Sequence, residues 1–153
     1  MIYIIDYYNS RKVKSTIKKF IPLLEKILSD FGKNDFNINI VLCNNDYIQE
    51  LNKKYRGKNK PTDVLSFPQF ENLNDFNNDK FYKEIGLGDI IISIDKAFEQ
   101  SKEYNCELDQ ELLRLTIHGL LHLLGMDHEI SKEEENKMKE KEDYYISFFN
   151  CSL

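Results

Sequence analysis

The chain has 153 residues, a length that suits one domain able to bury about two thirds of the surface exposed by its unfolded form. Hydrophobic residues make up 41% and charged residues 31% of it, an ordinary globular composition, and no apolar run is long enough to span a bilayer. The net charge of −5 argues against a protein that coats nucleic acid through a uniformly basic surface.

The N-terminal residues and the cysteines both favour a reducing compartment. The apolar opening MIYII ends at Asp6, which is too short for the core of a signal peptide, and no cationic segment precedes it. Cys43, Cys106 and Cys151 are odd in number, widely spaced and free of any CxxC pattern. We therefore expect a cytoplasmic protein with reduced thiols and no membrane partner.

The N-terminal part of the chain predicts a strand, a helix and a second strand. β-branched and aromatic residues at 2–7 are typical of a short strand. Apolar residues recur at three- and four-residue steps over 13–31, which predicts an amphipathic helix that ends at Gly32. Pro22 lies inside this pattern and predicts a kink or a fresh start, because it lacks an amide hydrogen. Alternation over 36–42 predicts a strand with one face more buried than the other.

The next segment predicts a second helix and another strand. Asn45 or Asp46 is expected to cap a helix that runs to about Tyr55, with a glycine just beyond its end. Residues 64–67 are typical of a short strand. Pro68 follows it, which predicts that this strand lies at a sheet edge or stops there.

The middle of the chain predicts a loop, a buried strand and two helices. Residues 69–86 are rich in Asn, Asp and Glu, so we expect a long surface loop and assign it no chemistry. Residues 87–94 include three consecutive isoleucines, typical of a strand covered on both faces. Helices are predicted over 95–104 and 108–124, and the second is apolar nearly all round, which places it in the middle of the domain.

The C-terminal part predicts one last helix. Ser131 and Glu134 form a capping box, and the mostly acidic face over 133–143 is expected to be solvated. Nothing in the chain repeats, and no Gly-, Ser- or Pro-rich linker divides it. We therefore predict a single α+β domain over 1–153, with about four strands and five helices.

All three histidines of the chain lie within the eleven residues HGLLHLLGMDH, which indicates a metal site. His118 and His122 are four residues apart, so on a helix they share one face and can point at one ion. Gly125 lies where that helix would end, and the turn after it can bring His128 in as a third ligand. Three protein ligands would leave the fourth tetrahedral position open, as in a catalytic zinc site.

The spacing of these residues is that of the metzincin protease signature, with one departure. Gly119 stands where the protease has the glutamate that acts as its general base, so ordinary proteolysis is disfavoured. An alternative is that the histidines are hydrogen-bonded core residues of a buried helix. We favour the metal site, because three separately buried imidazoles would each need their own polar partner.

A second motif is the basic run KKYRGKNK at 53–60, which contains five cations and no acid. This density suffices for a phosphate-binding patch. Cations near the end of a helix are also favoured by the helix dipole whatever the function. Charge alone therefore leaves a phosphate-binding patch and a solvated helix end equally open.

With these motifs in view, the chain resembles the YbeY family, bacterial metal-dependent endoribonucleases that act on ribosomal RNA. The resemblance is carried by three blocks, LNKKYRGKNKPTDVLSFP at 51–68, LGDIIIS at 87–93 and HGLLHLLGMDH at 118–128. It implies a mixed sheet packed with helices, similar to the zinc peptidase (zincin-like) fold. It also implies that His118, His122 and His128 hold one zinc ion and that Arg56 is functionally important.

The resemblance further implies a biological role. It points to a single-strand-specific endoribonuclease in ribosomal RNA processing, notably maturation of the 3′ end of 16S RNA, and in ribosome quality control. The implied partners are ribosomal RNA and the small ribosomal subunit with its assembly factors, and no DNA partner is expected. Three histidines also accept nickel, cobalt or iron, so the residues leave the native metal open.

Our hypothesis for the chemistry gives separate roles to the metal and to Arg56. The metal would polarise a phosphodiester oxygen or lower the pKa of its water to about 7, and Arg56 would hold the phosphate. Hydrolysis and attack by the RNA's own 2′-hydroxyl both fit this scheme. Asp127 is a candidate for proton transfer or for capping the turn, while Ser66 and Asp63 are expected near the cleft without a catalytic role.

Two rival functions fit part of the pattern. One is a zinc peptidase with a non-standard base, such as Asp127 or Glu129. The other is a non-enzymatic ribosome assembly factor whose zinc is structural and whose basic loop docks on ribosomal RNA.

Overall fold

The computed structural model describes residues 1–69, 85–127 and 131–151. These ranges contain four strands and five helices, which confirms the predicted α+β class. In chain order they are β1 (Ile2–Asp6), α1 (Arg11–Asp30), β2 (Phe36–Cys43), α2 (Asn45–Arg56), β3 (Val64–Pro68), β4 (Ile85–Ser93), α3 (Ile94–Glu103), α4 (Leu108–Leu123) and α5 (Lys132–Cys151).

The four strands form one mixed sheet in the order β1-β2-β4-β3. β1, β2 and β4 run parallel, whereas β3 is antiparallel to β4. β3 therefore lies at an edge and Pro68 is its last residue, as predicted. Of the predicted loop over 69–86, residues 70–84 lie outside the described part of the chain. Its end differs from the prediction, because Ile85 and Gly86 already belong to β4.

Helices cover both faces of this sheet. Ile90 and Ile92 of β4 belong to the larger core, which the sheet shares with α1, α3, α4 and α5. Ile91 points to the opposite face and packs with Ile48 of α2 and Leu65 of β3. The three consecutive isoleucines are thus buried on both sides, as predicted for a strand between two helical layers.

The cap of α2 differs from the prediction. Asn44, not Asn45 or Asp46, is the capping residue, and its side-chain oxygen accepts a hydrogen bond from the Tyr47 amide at 2.9 Å. Asn45 is engaged elsewhere, because its side chain accepts a 2.7 Å hydrogen bond from Ser93. The Asn45 side chain thus makes a long-range contact with the end of β4 and does not cap the helix.

The proline in α1 also behaves differently from the expectation of a fresh start. α1 is one helix from Arg11 to Asp30 with Pro22 inside it. Pro22 has no N–H to donate to the Lys18 carbonyl, which therefore lacks its helical hydrogen bond. Both residues lie on the exposed side of the helix. Water can bond that carbonyl, so the helix continues through the proline while Leu23 and Leu24 stay in the core.

The last two helices complete the scaffold around the predicted motif. α4 is buried on nearly all sides and packs on β3, β4 and α5, as predicted for a central helix. α5 begins as predicted, with the Glu134 amide donating to the Ser131 hydroxyl at 3.1 Å, and it extends to Cys151. No helix within the described ranges is long and apolar enough to cross a membrane.

Candidate functional site

A cleft of about 460 Å³ opens where α4 passes the edge strand β3 and the loop that follows α2. His118 and His122 contribute one wall of this cleft, and Arg56 lies on another. The structure therefore brings together two of the three predicted metal ligands and the predicted phosphate-binding arginine. Most of the remaining lining side chains are polar or charged.

The two histidines of α4 converge as their spacing predicts. The Nε2 atoms of His118 and His122 lie 3.1 Å apart. Two nitrogens bound to one tetrahedral zinc at about 2.0–2.1 Å would lie about 3.3–3.4 Å apart, so the pair fits a shared ion after a small adjustment. The same distance also suits a hydrogen bond between the two rings.

The third predicted ligand, His128, lies outside the described residues, as does Glu129, the alternative base. Within 1–69, 85–127 and 131–151 no group of three or more His, Cys, Asp or Glu side chains is placed to hold a metal ion. The described residues thus include two of the three predicted ligands, His118 and His122. The predicted three-histidine site stays a prediction.

A buried glutamate of α5 orients the first histidine. Glu142 contacts Nδ1 of His118 through one carboxylate oxygen, and both side chains are largely buried. A carboxylate on Nδ1 holds the proton on that nitrogen, so the lone pair of Nε2 faces His122 and the cleft. This carboxylate–histidine arrangement is the one that metal-binding imidazoles usually have in proteins.

The prediction of a solvated acidic face on α5 is therefore wrong for Glu142. Residues at spacings of four and three on α5, Met138, Glu142 and Tyr145, are all buried. The sequence contained this signal, because a glutamate between a methionine and a tyrosine at helical spacing falls on the apolar stripe. The acidic composition of the surrounding residues concealed it.

Gly119, at the position of the protease glutamate, has a packing role. A Cβ atom built on Gly119 would lie 2.6 Å from Cγ2 of Ile90 and 3.3 Å from the Ser66 hydroxyl. The Gly119 carbonyl also accepts a 3.0 Å hydrogen bond from that hydroxyl. α4 thus rests directly on the sheet at this point, and a larger residue would be forced against the core.

The basic loop after α2 is held in place by its own helix. Gly57 ends α2 with a left-handed backbone (φ 69°), which turns the chain back on itself. The buried side chain of Asn52 then donates a 2.9 Å hydrogen bond to the Lys60 carbonyl. This bond fixes the loop so that Arg56, Lys58 and Lys60 line the cleft.

The predicted basic run thus divides into two parts. Arg56, Lys58 and Lys60 line the cleft with the histidines, which favours phosphate binding for this part. Lys53 and Lys54 lie in the last turn of α2 and do not line it. For these two, the position at the helix C-terminus accounts for the charge.

Arg114 adds a fourth cation that the sequence reading did not single out. It lies one turn before His118 on α4, lines the same cleft, and its Nε donates a 3.0 Å hydrogen bond to Glu111. Burial lowers the pKa of the Arg114 guanidinium, but the hydrogen bond and charge of Glu111 more than offset this and raise it above its usual value. The residue is a permanent cation on the histidine face of α4.

Three further residues from the sequence reading also line the cleft. Ser66 donates to the Gly119 carbonyl, and Asp63 accepts from the Val64 amide at 2.8 Å and from Gln100 at 3.2 Å. Both side chains make hydrogen bonds within the protein, and the expectation that neither is catalytic stays a prediction. Asp127 also lines the cleft, beyond the end of α4.

Comparisons with known proteins agree with this fold. The family model "Endoribonuclease YbeY" matches residues 5–150. Proteins of that name from a Sulfurihydrogenibium species and from Aquifex aeolicus are 45% and 44% identical to this chain, covering 92% and 94% of it and 88% and 89% of their own lengths. The solution structure of TM1509 from Thermotoga maritima is similar with a TM-score of 0.66 and 33% identity, covering 95% of this chain and 87% of its own. The chain belongs to the endoribonuclease YbeY family.

Proposed function

We propose that this protein is a zinc-dependent endoribonuclease that cuts single-stranded RNA in the processing of ribosomal RNA. The observation that carries the proposal is one cleft that combines the convergent His118–His122 pair with the guanidinium of Arg56. A metal ion held by imidazoles beside a phosphate-binding arginine is one combination of groups that cleaves a phosphodiester. The family relationship supports the endoribonuclease activity.

The metal ligands in this proposal are His118, His122 and His128. The first two fit on the distance between their Nε2 atoms and on the carboxylate of Glu142 behind His118. A zinc ion held there would supply Lewis-acid chemistry to the scissile phosphate. Glu142 would keep the His118 ring in the tautomer and orientation that metal binding needs.

The cations of the cleft would bind and orient the RNA backbone. Arg56 presents a planar fork that can pair with two phosphate oxygens and offset the charge that grows on them during cleavage. Lys58, Lys60 and Arg114 surround the same space and would hold the neighbouring phosphates. The protein has a net charge of −5, so this local concentration of cations also directs RNA to the cleft.

The biological part of the proposal follows the family relationship. We infer that the RNA is ribosomal, that the 3′ end of 16S RNA is a principal target, and that the cytoplasmic small ribosomal subunit and its assembly factors are the partners. A role in ribosome quality control is included. Expression of this chain in a bacterium that lacks its own YbeY is expected to restore mature 16S 3′ ends, which mapping of RNA ends would measure.

The test of the chemistry combines elemental analysis with RNA cleavage. The purified protein is expected to contain zinc and to cut single-stranded RNA, to stop after chelation, and to recover when zinc is returned. His122→Ala is expected to lose both zinc and cleavage. Arg56→Ala is expected to keep zinc but to cut about 10²–10³-fold more slowly, the usual cost of losing one group that stabilises transition-state charge.

A matched control separates this role from general charge. Arg11 is an exposed arginine at the start of α1 and does not line the cleft, so Arg11→Ala is expected to cut at the wild-type rate. Zinc-loaded wild-type protein that never cuts RNA would refute the proposal. So would an Arg56→Ala variant that cuts as fast as Arg11→Ala.

A further inference from the structure

Two aromatic side chains that neighbour cleft-lining residues in the chain pack against each other. Tyr55, in the last turn of α2, and Phe67, near the end of β3, have ring centroids 5.2 Å apart and planes inclined at 60°. Tyr55 is 58% exposed, whereas Phe67 is half-buried against the smaller core. The Tyr55 ring thus packs against the Phe67 ring and remains accessible to solvent.

The position of the pair follows from its neighbours in the chain. Tyr55 directly precedes Arg56, and Phe67 directly follows Ser66, and both of these neighbours line the cleft. Because side chains alternate along a strand, Ser66 faces α4 while Phe67 faces α2. The aromatic pair therefore lies on the face of β3 that α2 covers, one residue along the chain from side chains that line the cleft.

Core packing does not explain the exposure of Tyr55. The core under α2 is closed by Ile48, with Leu51 and Phe67 packed against it. A tyrosine that leaves more than half of its surface in water adds little to that core. Its exposed ring instead offers a flat apolar surface beside the cations of the cleft.

Positive charge near the Tyr55 ring favours nucleic acid as its partner. Arg56, which lines the cleft, directly follows Tyr55 in the chain, and Nζ of Lys54 lies 5.2 Å from the centre of the Tyr55 ring. Aromatic rings among cations that track a phosphate backbone are the usual means of binding single-stranded nucleic acid, since each base can stack while its phosphate is neutralised. In duplex RNA the bases are already stacked and paired, so this surface selects unpaired nucleotides.

We propose that Tyr55, supported by Phe67, is the stacking site for an unpaired base of the RNA whose phosphate is bound by Arg56. The inference rests on the proposed ribonuclease function and names the element that would select single strands. Tyr55 is a substrate-positioning residue here, with no part in the bond cleavage itself. Its loss acts on the binding of RNA more than on the rate of the bound complex.

The first test is steady-state cleavage of an unstructured oligoadenylate by variants at this position. Tyr55→Ala is expected to raise KM roughly 5- to 150-fold, the range for loss of one base–aromatic stack, with kcat changed far less. Tyr55→Phe and Tyr55→Trp keep a flat ring and are expected to retain a KM within about threefold of wild type, since base stacking is tolerant of the ring type. A structural role would not be rescued by the larger tryptophan.

Tyr47 provides a matched control. It is also an exposed tyrosine of α2, 39% exposed, but it lies in the first turn of the helix, at the opposite end from Arg56, and pairs with Tyr7 at 5.4 Å. Tyr47→Ala is expected to leave KM and kcat unchanged. An equal rise of KM in Tyr47→Ala and Tyr55→Ala would overturn the inference.

The second test reports contact with the base directly. The chain contains no tryptophan, so Tyr55→Trp has a single indole whose fluorescence is expected to be quenched when oligoadenylate is mixed in a stopped-flow instrument, before cleavage. A duplex of the same length is expected to quench far less. RNA that binds without quenching the indole would overturn the inference.

The outcomes also separate this inference from the proposed function. Wild-type protein that cuts RNA while Tyr55→Ala has an unchanged KM leaves the nuclease standing and removes the stacking site. Quenching and a Tyr55-dependent affinity without any cleavage keep the stacking site and remove the nuclease. Protein that neither binds nor cuts RNA overturns both.

Discussion

Gly119 offers a direct test of how closely α4 rests on the sheet. In an open helix position a glycine-to-alanine change stabilises a protein by about 1 kcal/mol, because alanine is the better helix former. Here the new Cβ would lie 2.6 Å from Cγ2 of Ile90, about 0.8 Å short of the 3.4 Å where ordinary van der Waals contact begins. Ile90 is fully buried on β4, so its side chain cannot turn out into solvent to relieve the contact.

The expected cost of Gly119→Ala follows from these opposing effects. Overpacking a close-packed core costs about 1–3 kcal/mol, and the helix-propensity gain of about 1 kcal/mol is subtracted from it. We expect a net loss of about 1 kcal/mol in the free energy of unfolding, measured by urea denaturation with an unchanged m-value. Gly119→Glu is expected to lose more, because it also buries a carboxylate.

Two comparisons identify the clash as the cause. In an Ile90→Ala background the obstructing atom is absent, so Gly119→Ala is expected to become stabilising, with a coupling free energy of about 1–3 kcal/mol. Gly86→Ala is the matched control, since its Cβ would meet only the flexible end of Gln69, at 2.5 Å. It is expected to be close to neutral. A Gly119→Ala variant more stable than wild type would refute the close approach.

Three other predictions concern the groups around the cleft. Glu142→Ala is expected to weaken zinc binding about 10- to 100-fold, and Glu142→Gln is expected to bind with an affinity between those of Glu142→Ala and wild type. Competition with a chromophoric chelator measures both affinities. An unchanged affinity in Glu142→Ala would exclude the orienting role. Arg114→Ala is expected to lower the free energy of unfolding by about 1–3 kcal/mol, because Glu111 would be left buried without its cation. This loss is smaller than for a fully buried pair, because the Arg114 side chain is 34% exposed. The double variant Glu111→Leu with Arg114→Leu is expected to have a free energy of unfolding within about 1 kcal/mol of wild type. A loss in the double variant as large as that in Arg114→Ala would contradict this explanation. Burial, with a smaller effect of the Asp95 charge, raises the pKa of Cys43 from its usual 9.0 to about 12, so the folded state holds this proton where the unfolded state has released it. Stability is therefore expected to fall as pH rises from about 9 to 12, less steeply in Cys43→Ala, and an equal slope in both proteins would argue against the shift.

The elements that the sequence predicted well are those with a strong local pattern. The period of two in β2 and the three isoleucines of β4 fix which faces are buried, and both predictions are confirmed. The histidine pair was predictable for the same reason, since a spacing of four on a helix determines that two rings are neighbours. Edge placement of β3 followed from the proline at its end.

What the sequence concealed depends on contacts between distant segments. Glu142 reaches His118 across 24 residues, and nothing in the local composition of α5 distinguishes it from its solvated acidic neighbours. The cap of α2 is Asn44, while the side chain of Asn45 accepts a hydrogen bond from Ser93 at the end of β4, 48 residues away. Arg114 was not singled out from the sequence, because only the fold brings its helix beside the basic loop.

The C-terminal helix α5 contacts both the helix that bears the histidines and the N-terminal helix α1. α5 is attached at one point to α4, through Glu142 and His118, and at another to α1, through a 2.9 Å hydrogen bond from the Tyr145 hydroxyl to Asp30. Any ligand that binds more tightly when the His118 ring is held must, by thermodynamic reciprocity, strengthen the docking of α5 by the same factor. Ligand binding in the cleft and docking of the C-terminal helix are therefore coupled equilibria. Slower amide hydrogen exchange in α5 would report that a ligand has bound in the cleft.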